Sequence, residues 1–499
     1  LSREAVWTAV AEWLAGRGDR TIETSCARIT LSGDAAWKIK RPVRLPFLDF
    51  SSREKRRWAL ERELTFNRRW APDIYRRVRA ITRKRDGFAF DGQGEPVEWL
   101  LEMRRFDPHA VAANHPEAVD GETAETLGRL IAASHIDAPA TPEDGGAGSL
   151  SYTMATNEES LRQRVSALGS GRVEHLITRT RAARDALVPL LETRRQAGFG
   201  RACHGDMHLG NILLENGRPI PFDCIEFNDR LSRIDVLYDL AFPVMDLVVR
   251  GRMAAANRLL NAYLDEAARG LPETNWVGLA ALPLFMSVRA AVRAHVSAAT
   301  GEIANALCYL AAGEEFLGLP ARRLFAIGGL SGTGKTHFAR TLAPMIPGAP
   351  GAAILRSDEI RKRLAGVGHL APLPIAAYSS EWDARVYGEM FTLAETILKA
   401  GRAVVLDATF LAQDRRERAE ALAAELNVEF TPIWLEGDLE VLRARLSERR
   451  GDASDAGIAV LERQSKRDIG LLRWRRVSAA SDFTAEAARL AVVDGPRPA

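Results

Sequence analysis

The sequence predicts two domains in series. The first is an α+β unit of two lobes, an antiparallel sheet with one helix followed by a mainly helical lobe. The second is an α/β unit whose parallel sheet is covered by helices. Three observations predict this. The first hundred residues read as strands, helix, strands. Residues 106–318 are dominated by helical spacing of apolar residues. From about residue 320 short apolar strands alternate with helices, the pattern of a parallel sheet covered on both faces. The 499 residues are too many for one core, and length alone suggests about three domains at roughly 150 residues each.

Residues 1–20 read as an amphipathic helix. "SCARITLSGDAAWKIKRPV" reads as a hairpin, two β-rich runs around the turn "SGD". "SSREKRRWALERELTFNRRWAP" is a charged helix with Pro72 marking its end, and "YRRVRAITRKRDGFAFDGQGEPVEWLLEMRRF" returns to strands. "AETLGRLIAASHI" is helical, and "DAPATPEDGGAGSLSYT" reads as a mobile Pro/Gly/Ser-rich loop. Residues 157–197 form one or two helices. "GRACHGDMHLGNILLENGRPIPFDCIEF" is a loop between short strands with its turn at "ENGRP", and 235–318 are mostly helical. After a reset near "LGLPARRLFAIGGL", the runs "RLFAIGGL", "AAILRSD", "AVVLDAT" and "EFTPIWLEG" are strands. The expected domains are 1–320, with a small lobe at about 20–105 and a large lobe at about 106–320, and 321–499.

Composition bounds the function. With 46% hydrophobic and 27% charged residues the chain is globular, and a formal net charge of +3 excludes a polycation. Most of the positive charge is arginine, so local basic patches suit phosphate-bearing ligands or nucleic acid. Cys26, Cys203, Cys224 and Cys308 form no C-x-x-C pair, which argues against a disulfide scaffold or zinc site and for a reducing cytoplasm. The first residues do not read as a signal peptide. No uncharged run approaches the roughly 20 residues needed to cross a bilayer. "LYDLAFPVMDLVV" comes closest and carries two aspartates. No membrane partner is expected, and the sequence carries no signal for oligomeric state.

"GLSGTGKT", residues 329–336, satisfies G-x-x-x-x-G-K-[ST], between a predicted strand and a predicted helix. In this P-loop, Gly329, Ser331, Gly332, Thr333 and Gly334 let backbone N–H groups turn toward phosphate oxygens, and the helix N-terminus adds positive potential. Lys335 reaches the outer phosphates of ATP or GTP, and Thr336 offers its hydroxyl to Mg²⁺. "AAILRSDEIRKRL" places Asp358 and Arg361 at the end of the next strand, as a proton acceptor for a substrate hydroxyl and a holder of substrate or phosphate. Asp407 in "AVVLDAT" ends a strand facing the loop, as a Mg²⁺ partner or substrate ligand. The arginine-rich "VLRARLSERRGDASDA" offers Arg445 and Arg449 as lid residues over the transferring phosphoryl group. On Walker A, "SDEIRKRL", "LDATF" and these arginines, residues 322–490 resemble the small P-loop kinases of metabolites, such as gluconate kinase, and are similar to the zeta-toxin and polynucleotide-kinase groups. The implied fold is an α/β P-loop NTPase domain.

"HGDMHLGN", residues 204–211, allows three readings. His204, Asp206 and His208 at i, i+2, i+4 could face one metal, but Gly205 and Gly210 favour a loop and no further ligand pair sits nearby. A hydrolase triad lacks a G-x-S-x-G elbow. The third reading fits better. His204, Asp206 and Asn211 match H-x-D-x-x-x-x-N, the catalytic-loop spacing of protein kinases, in which the Asp accepts the hydroxyl's proton and the Asn holds Mg²⁺. "PFDCIEF" then puts Asp223 at the second metal-binding acid. The strand "AAWKIKRPV" supplies Lys38 or Lys40, with Lys38 preferred. "ERELTFNRR" supplies Glu63 or Glu61, and "VEWLLEMRRF" a hinge whose backbone around Met103 would hold adenine.

With Gly205 in place of that loop's arginine, and with "IEF" and "YDLAF", roughly residues 25–310 resemble the aminoglycoside-phosphotransferase-like kinases. The implied fold is a bilobal, protein-kinase-like α+β domain. By that resemblance His204 is structural and His208 has no assured chemical role. The expected function is a two-kinase fusion. Each half binds Mg²⁺ with ATP or GTP, and the acceptor is a small hydroxyl-bearing molecule such as a sugar, an aminoglycoside or a related metabolite. Two alternatives stand beside it: 5′-hydroxyl nucleic-acid phosphorylation by the P-loop half, and a nucleotide-gated regulatory module.

Overall fold

A computed structural model describes residues 3–24, 26–45, 48–318, 322–448 and 453–492. The small lobe is a six-stranded antiparallel sheet. Its order is Arg20–Glu23, Ala27–Ser32, Ala35–Lys40, Pro96–Arg104, Tyr75–Lys84, Gly87–Phe90. The hairpin expected around "SGD" forms, with Gly33 in the left-handed region (φ 56°) and Ser32 opposite Ala35. Period-two alternation then sorts the strand Ala35–Lys40. Ile39 enters an apolar cluster with Val10, Ala11 and Leu14 of the helix Arg3–Ala15. Lys38 and Lys40 face the other way, toward the helix Arg53–Asn67.

That helix starts on Ser52, whose hydroxyl accepts from Lys55 N–H. Arg56, Ala59, Leu60, Glu63 and Asn67 form its buried stripe. It ends at Asn67, short of the expected Pro72. The Asn67 side chain donates to Glu63 O and accepts from Cys224 N–H, so the helix end is tied to the large lobe.

The large lobe is built on the helices Gly121–Asp137, Gly146–Arg162, Ser170–Gln196, Val236–Val249, Met253–Ala267, Leu282–Ala299 and Ile303–Phe316. The stretch expected as a loop over 137–153 is a loop only to Gly145. Two left-handed glycines, Gly145 and Gly146, turn the chain into a helix whose Leu150 and Met154 are core residues. The apolar run "LYDLAFPVMDLVV" is the central helix, buried from Val236 through Leu247. Among the described residues no single helix is long and apolar enough to cross a membrane.

The second unit is a five-stranded parallel sheet in the order Ala353–Arg356, Val404–Asp407, Arg323–Gly329, Glu429–Glu436, Arg475–Ser478. Four of these strands are the expected ones. The fifth, "RRVS", is too short and polar to read as a strand without its neighbour. Ala353–Arg356 lies at the sheet edge and is nevertheless fully buried. The helix Met253–Ala267 of the large lobe covers it. Asn257 donates to Pro350 O and Ala352 O, and Asn261 accepts from Ile354 N–H. An edge strand's unpaired main chain is thus satisfied by side chains of the other domain.

Candidate active sites

The loop of residues 204–211 is shaped from beneath. The buried Asp239 carboxylate accepts from the N–H groups of His204 (3.1 Å) and Gly205 (2.8 Å) and meets His135 Nε2 at 3.1 Å. Arg289 donates to Gly205 O at 2.9 Å. Gly205 has φ +83°, and a Cβ there would stand 2.8 Å from Leu231 O, so the position requires glycine. His204 is buried, with Nε2 3.0 Å from Phe222 O, and burial lowers its pKa. Asp206 is half-exposed. Asn211 Nδ2 donates to its main-chain oxygen (2.9 Å) and to Oδ2 (3.0 Å), so the amide oxygen of Asn211 is the atom left to a cation.

The small lobe brings its cations to this loop. Lys38 Nζ lies 2.6 Å from Glu63 Oε1 and 3.2 Å from Asp223 Oδ1. Lys40 Nζ lies 2.6 Å from Glu63 Oε2 and 2.8 Å from Glu226 Oε1. Glu63 is buried between the two ammoniums, whereas Glu61 is exposed and paired with Arg57. Burial opposes the charge on Lys38, but Asp223 and Glu63 outweigh it and hold its pKa well above the usual value. Lys38 in turn lowers that of Asp223. Asp223 has φ 59°, with its N–H donating to Tyr75 Oη at 3.0 Å. Asp206 and Asp223 both reach solvent, the first tied to Asn211 and the second to Lys38, which leaves two carboxylates, an amide and a lysine. That donor set suits Mg²⁺ and nucleotide phosphates.

The second site surrounds the P-loop. Gly329 ends its strand with φ 140°, and Gly332 and Gly334 are left-handed (φ 86° and 88°). Thr333 Oγ1 and Lys335 Nζ both donate to Leu330 O at 2.8 Å, and Ser331 N–H donates to Gln464 Oε1 at 2.9 Å. Thr336 lies in the first turn of the helix Lys335–Leu342, and its hydroxyl donates to Asp407 Oδ2 at 2.6 Å. Burial raises the pKa of Asp407, against the pull of Arg356 and Lys335. A hydroxyl and a carboxylate in contact beside the loop lysine fit a cation and a phosphate chain. Asp358 is half-buried in the first turn of the helix Ser357–Leu364.

Two expectations change. Met103 lies inside the strand Pro96–Arg104, opposite Ala36 on one side and Tyr75 on the other. Its main chain belongs to the sheet, and the crossing to the large lobe begins beyond Arg105, whose N–H still donates to Asp34 O. Arg361 is buried and spent on Ala377 O (2.7 Å) and Asp383 Oδ1 (2.6 Å), which makes it a strut rather than a holder of phosphate. Arg445 is exposed on the helix Leu439–Glu448 and donates to Ala479 O at 3.1 Å. Arg449 lies outside the described residues.

The structure adds residues that sequence reasoning missed. Glu226, in the "IEF" already noted, is the buried second partner of Lys40. Tyr75 supports Asp223 from a strand 148 residues earlier. Arg356 stands 3.4 Å from Thr336 Oγ1 and 3.6 Å from Asp407 Oδ2, and Gln464 occupies the Ser331 N–H. The polar end of the otherwise apolar strand "AAILR" was the available signal for Arg356. Nothing local marks Gln464.

Residues 87–277 match the family model described as "Phosphotransferase enzyme family", and residues 324–467 match the model described as "AAA domain". An uncharacterized protein of Mycobacterium tuberculosis strain H37Rv is 29% identical over 471 residues, spanning 90% of each chain, and one of Mycobacterium bovis aligns equally well. Among solved structures, a choline/ethanolamine kinase family protein from Mesorhizobium loti is 14% identical over 62% of this chain and 95% of its own, with a TM-score of 0.37. The Mycobacterium tuberculosis APS kinase bound to AMPPNP and APS is 18% identical over 34% of this chain and 96% of its own, with a TM-score of 0.26. Two family models thus cover successive parts of the chain: a kinase-like domain similar to the phosphotransferase enzymes precedes a P-loop domain similar to the AAA domains.

Proposed function

We propose that both halves, divided near residue 320, are active kinases with separate nucleotide sites. Each transfers the γ-phosphoryl group of ATP or GTP to a hydroxyl of a small molecule. The observation that carries this reading is Lys38, whose ammonium joins Glu63 of the small lobe to Asp223 of the large one. In the first half Lys38 binds nucleotide phosphates, Asp206 accepts the acceptor hydroxyl's proton, and Asn211 and Asp223 hold Mg²⁺. In the second half the P-loop residues Gly329–Thr336 cradle phosphates, with Lys335 on the outer ones. Thr336 and Asp407 hold Mg²⁺, and Asp358 orients or deprotonates the acceptor. Mg²⁺ at either place supplies neutralisation of the charge that develops on phosphoryl oxygens.

The test is transfer from γ-labelled ATP to sugars, aminoglycosides, nucleosides and 5′-hydroxyl oligonucleotides, by wild type, Asp206→Ala and Lys335→Ala. Each substitution is expected to remove one transfer activity. Full transfer to every acceptor by both variants refutes the site assignments. Phosphorylation of the oligonucleotides alone favours end processing by the P-loop half. Nucleotide binding without any product favours a regulatory module.

A further inference from the structure

His208 and Arg293 bring two hydrogen-bond donors together beside Asp206 with no acceptor between them. Gly210 N–H donates to His208 Nδ1 at 3.0 Å. That bond uses the Nδ1 lone pair, so the proton sits on Nε2. His208 Nε2 lies 3.8 Å from Asp206 Oδ2 and 3.5 Å from Arg293 Nη1. A guanidinium cannot accept, so neither group satisfies the other.

Arg293 differs from its neighbour one turn earlier on the helix Leu282–Ala299. Arg289 is committed to Tyr238 O and Gly205 O. Arg293 has no carboxylate within ion-pair distance among the described residues, and its Nε is buried without a partner. Arg164 repeats the pattern, with no such carboxylate and a buried, unpartnered Nε. Both arginines press on His295, which helps burial hold its pKa down to about 4. The buried Asp246 is already taken by Leu209 N–H, Tyr309 Oη and Arg250.

We infer that His208 and Arg293, with Arg164 behind them, form an oxyanion site for the acceptor of the kinase-like domain. The acceptor is then a small molecule carrying both a hydroxyl and a carboxylate or phosphate, separated by a few bonds. This inference rests on the kinase reading of that domain. The hydroxyl lies against Asp206 and the oxyanion bridges His208 Nε2 and Arg293. In the transfer the acceptor hydroxyl gives its proton to Asp206, and its oxygen bonds the γ-phosphorus. The bond from that phosphorus to the β–γ bridging oxygen breaks, and ADP leaves. The oxyanion exchanges no bond. Lys38 comes from a small-lobe strand and is paired with Asp223, whereas Arg293 comes from a large-lobe helix, which favours an anion on the acceptor over one on the nucleotide.

The test uses full-length protein carrying Lys335→Ala and a matched three-carbon series: glycerol, glycerate, glycerol 3-phosphate and 3-amino-1,2-propanediol. Transfer kinetics are measured for each, and binding of the two anions is measured by calorimetry with Mg²⁺–AMP-PNP present. Glycerate or glycerol 3-phosphate is expected to have a KM at least about tenfold below that of glycerol, and their order separates carboxylate from phosphate. Arg293→Gln is expected to raise the anion's KM and Kd about 10- to 100-fold, the scale of one charge-assisted hydrogen bond, with ATP KM within about twofold. Arg293→Lys restores part of the loss. Equal use of glycerol or the amine, or anion binding indifferent to Arg293, overturns the inference. So does an Arg293→Gln effect confined to ATP, which assigns the pair to the γ-phosphate. Adding Asp206→Asn separates the two levels: if transfer survives it undiminished, the kinase reading itself is wrong.

Discussion

Asn261 Oδ1 accepts the Ile354 N–H at 2.7 Å, a bond from the large-lobe helix Met253–Ala267 to the edge strand of the P-loop sheet. The same strand ends in Arg356, beside Thr336 and Asp407, and the next turn carries Asp358. One domain therefore completes the sheet on which the other's site is mounted.

Asn261→Ala leaves the buried Ile354 N–H unpaired. The expected loss is about 1–3 kcal/mol, read from the urea midpoint of the full chain. Asn257→Ala, which removes donors to Pro350 O and Ala352 O, is expected to act alike. Unchanged midpoints in both variants contradict a structural role for the seam.

Glu63→Gln takes the shared carboxylate from Lys38 and Lys40 and leaves buried ammoniums short of a counter-charge. A loss of about 3–5 kcal/mol is expected in the same measurement. Glu61→Gln breaks only the exposed pair with Arg57, so its expected change is within about 0.5 kcal/mol. Equal effects would remove the distinction between the two acids.

Gln464 holds the Ser331 N–H, which in the proposed nucleotide site goes to a phosphate oxygen. Gln464→Ala is expected to tighten Mg²⁺–ATP binding to the P-loop half by up to about tenfold, the scale of one net hydrogen bond. Calorimetry in a Lys38→Ala background reads that half alone. Weaker binding would make Gln464 a ligand of the nucleotide instead of its competitor.

Asp265 shares a cavity at the domain seam with Arg129, Arg356 and Glu359. Burial, and then Glu359, raises its pKa from 3.8 to about 7. The folded state therefore keeps a proton that the unfolded chain loses. The stability this contributes is full below the unfolded value and is lost as pH rises through about 7. Asp265→Asn stays neutral throughout. Its melting temperature is expected to gain on wild type between pH 5 and pH 8, and a constant offset across that range would count against the assignment.

The P-loop was legible in the sequence because its pattern is local. Eight consecutive residues carry the glycines, the lysine and the hydroxyl, and flanking periodicity supplies the strand and helix. The pairing of Asp206 with Asn211 was legible for a similar reason, since the two stand five residues apart. Strand alternation also put Lys38 and Lys40 on one face without any tertiary information. Fold class followed from these periodicities together with the order of the elements.

Tertiary structure alone decided which partners those residues meet. Helical spacing allowed either Glu61 or Glu63, and packing of the helix on the sheet turned Glu63 inward and Glu61 to solvent. Arg361 sits where a phosphate ligand was expected, but Asp383, 22 residues later, is folded against it and claims the guanidinium. The burial of the edge strand Ala353–Arg356 depends on a helix about 90 residues earlier. Arg293 reaches His208 across 85 residues. Local sequence governs backbone conformation and the face a side chain occupies. Charge pairing is settled at a few ångströms, between groups whose approach depends on how whole elements pack.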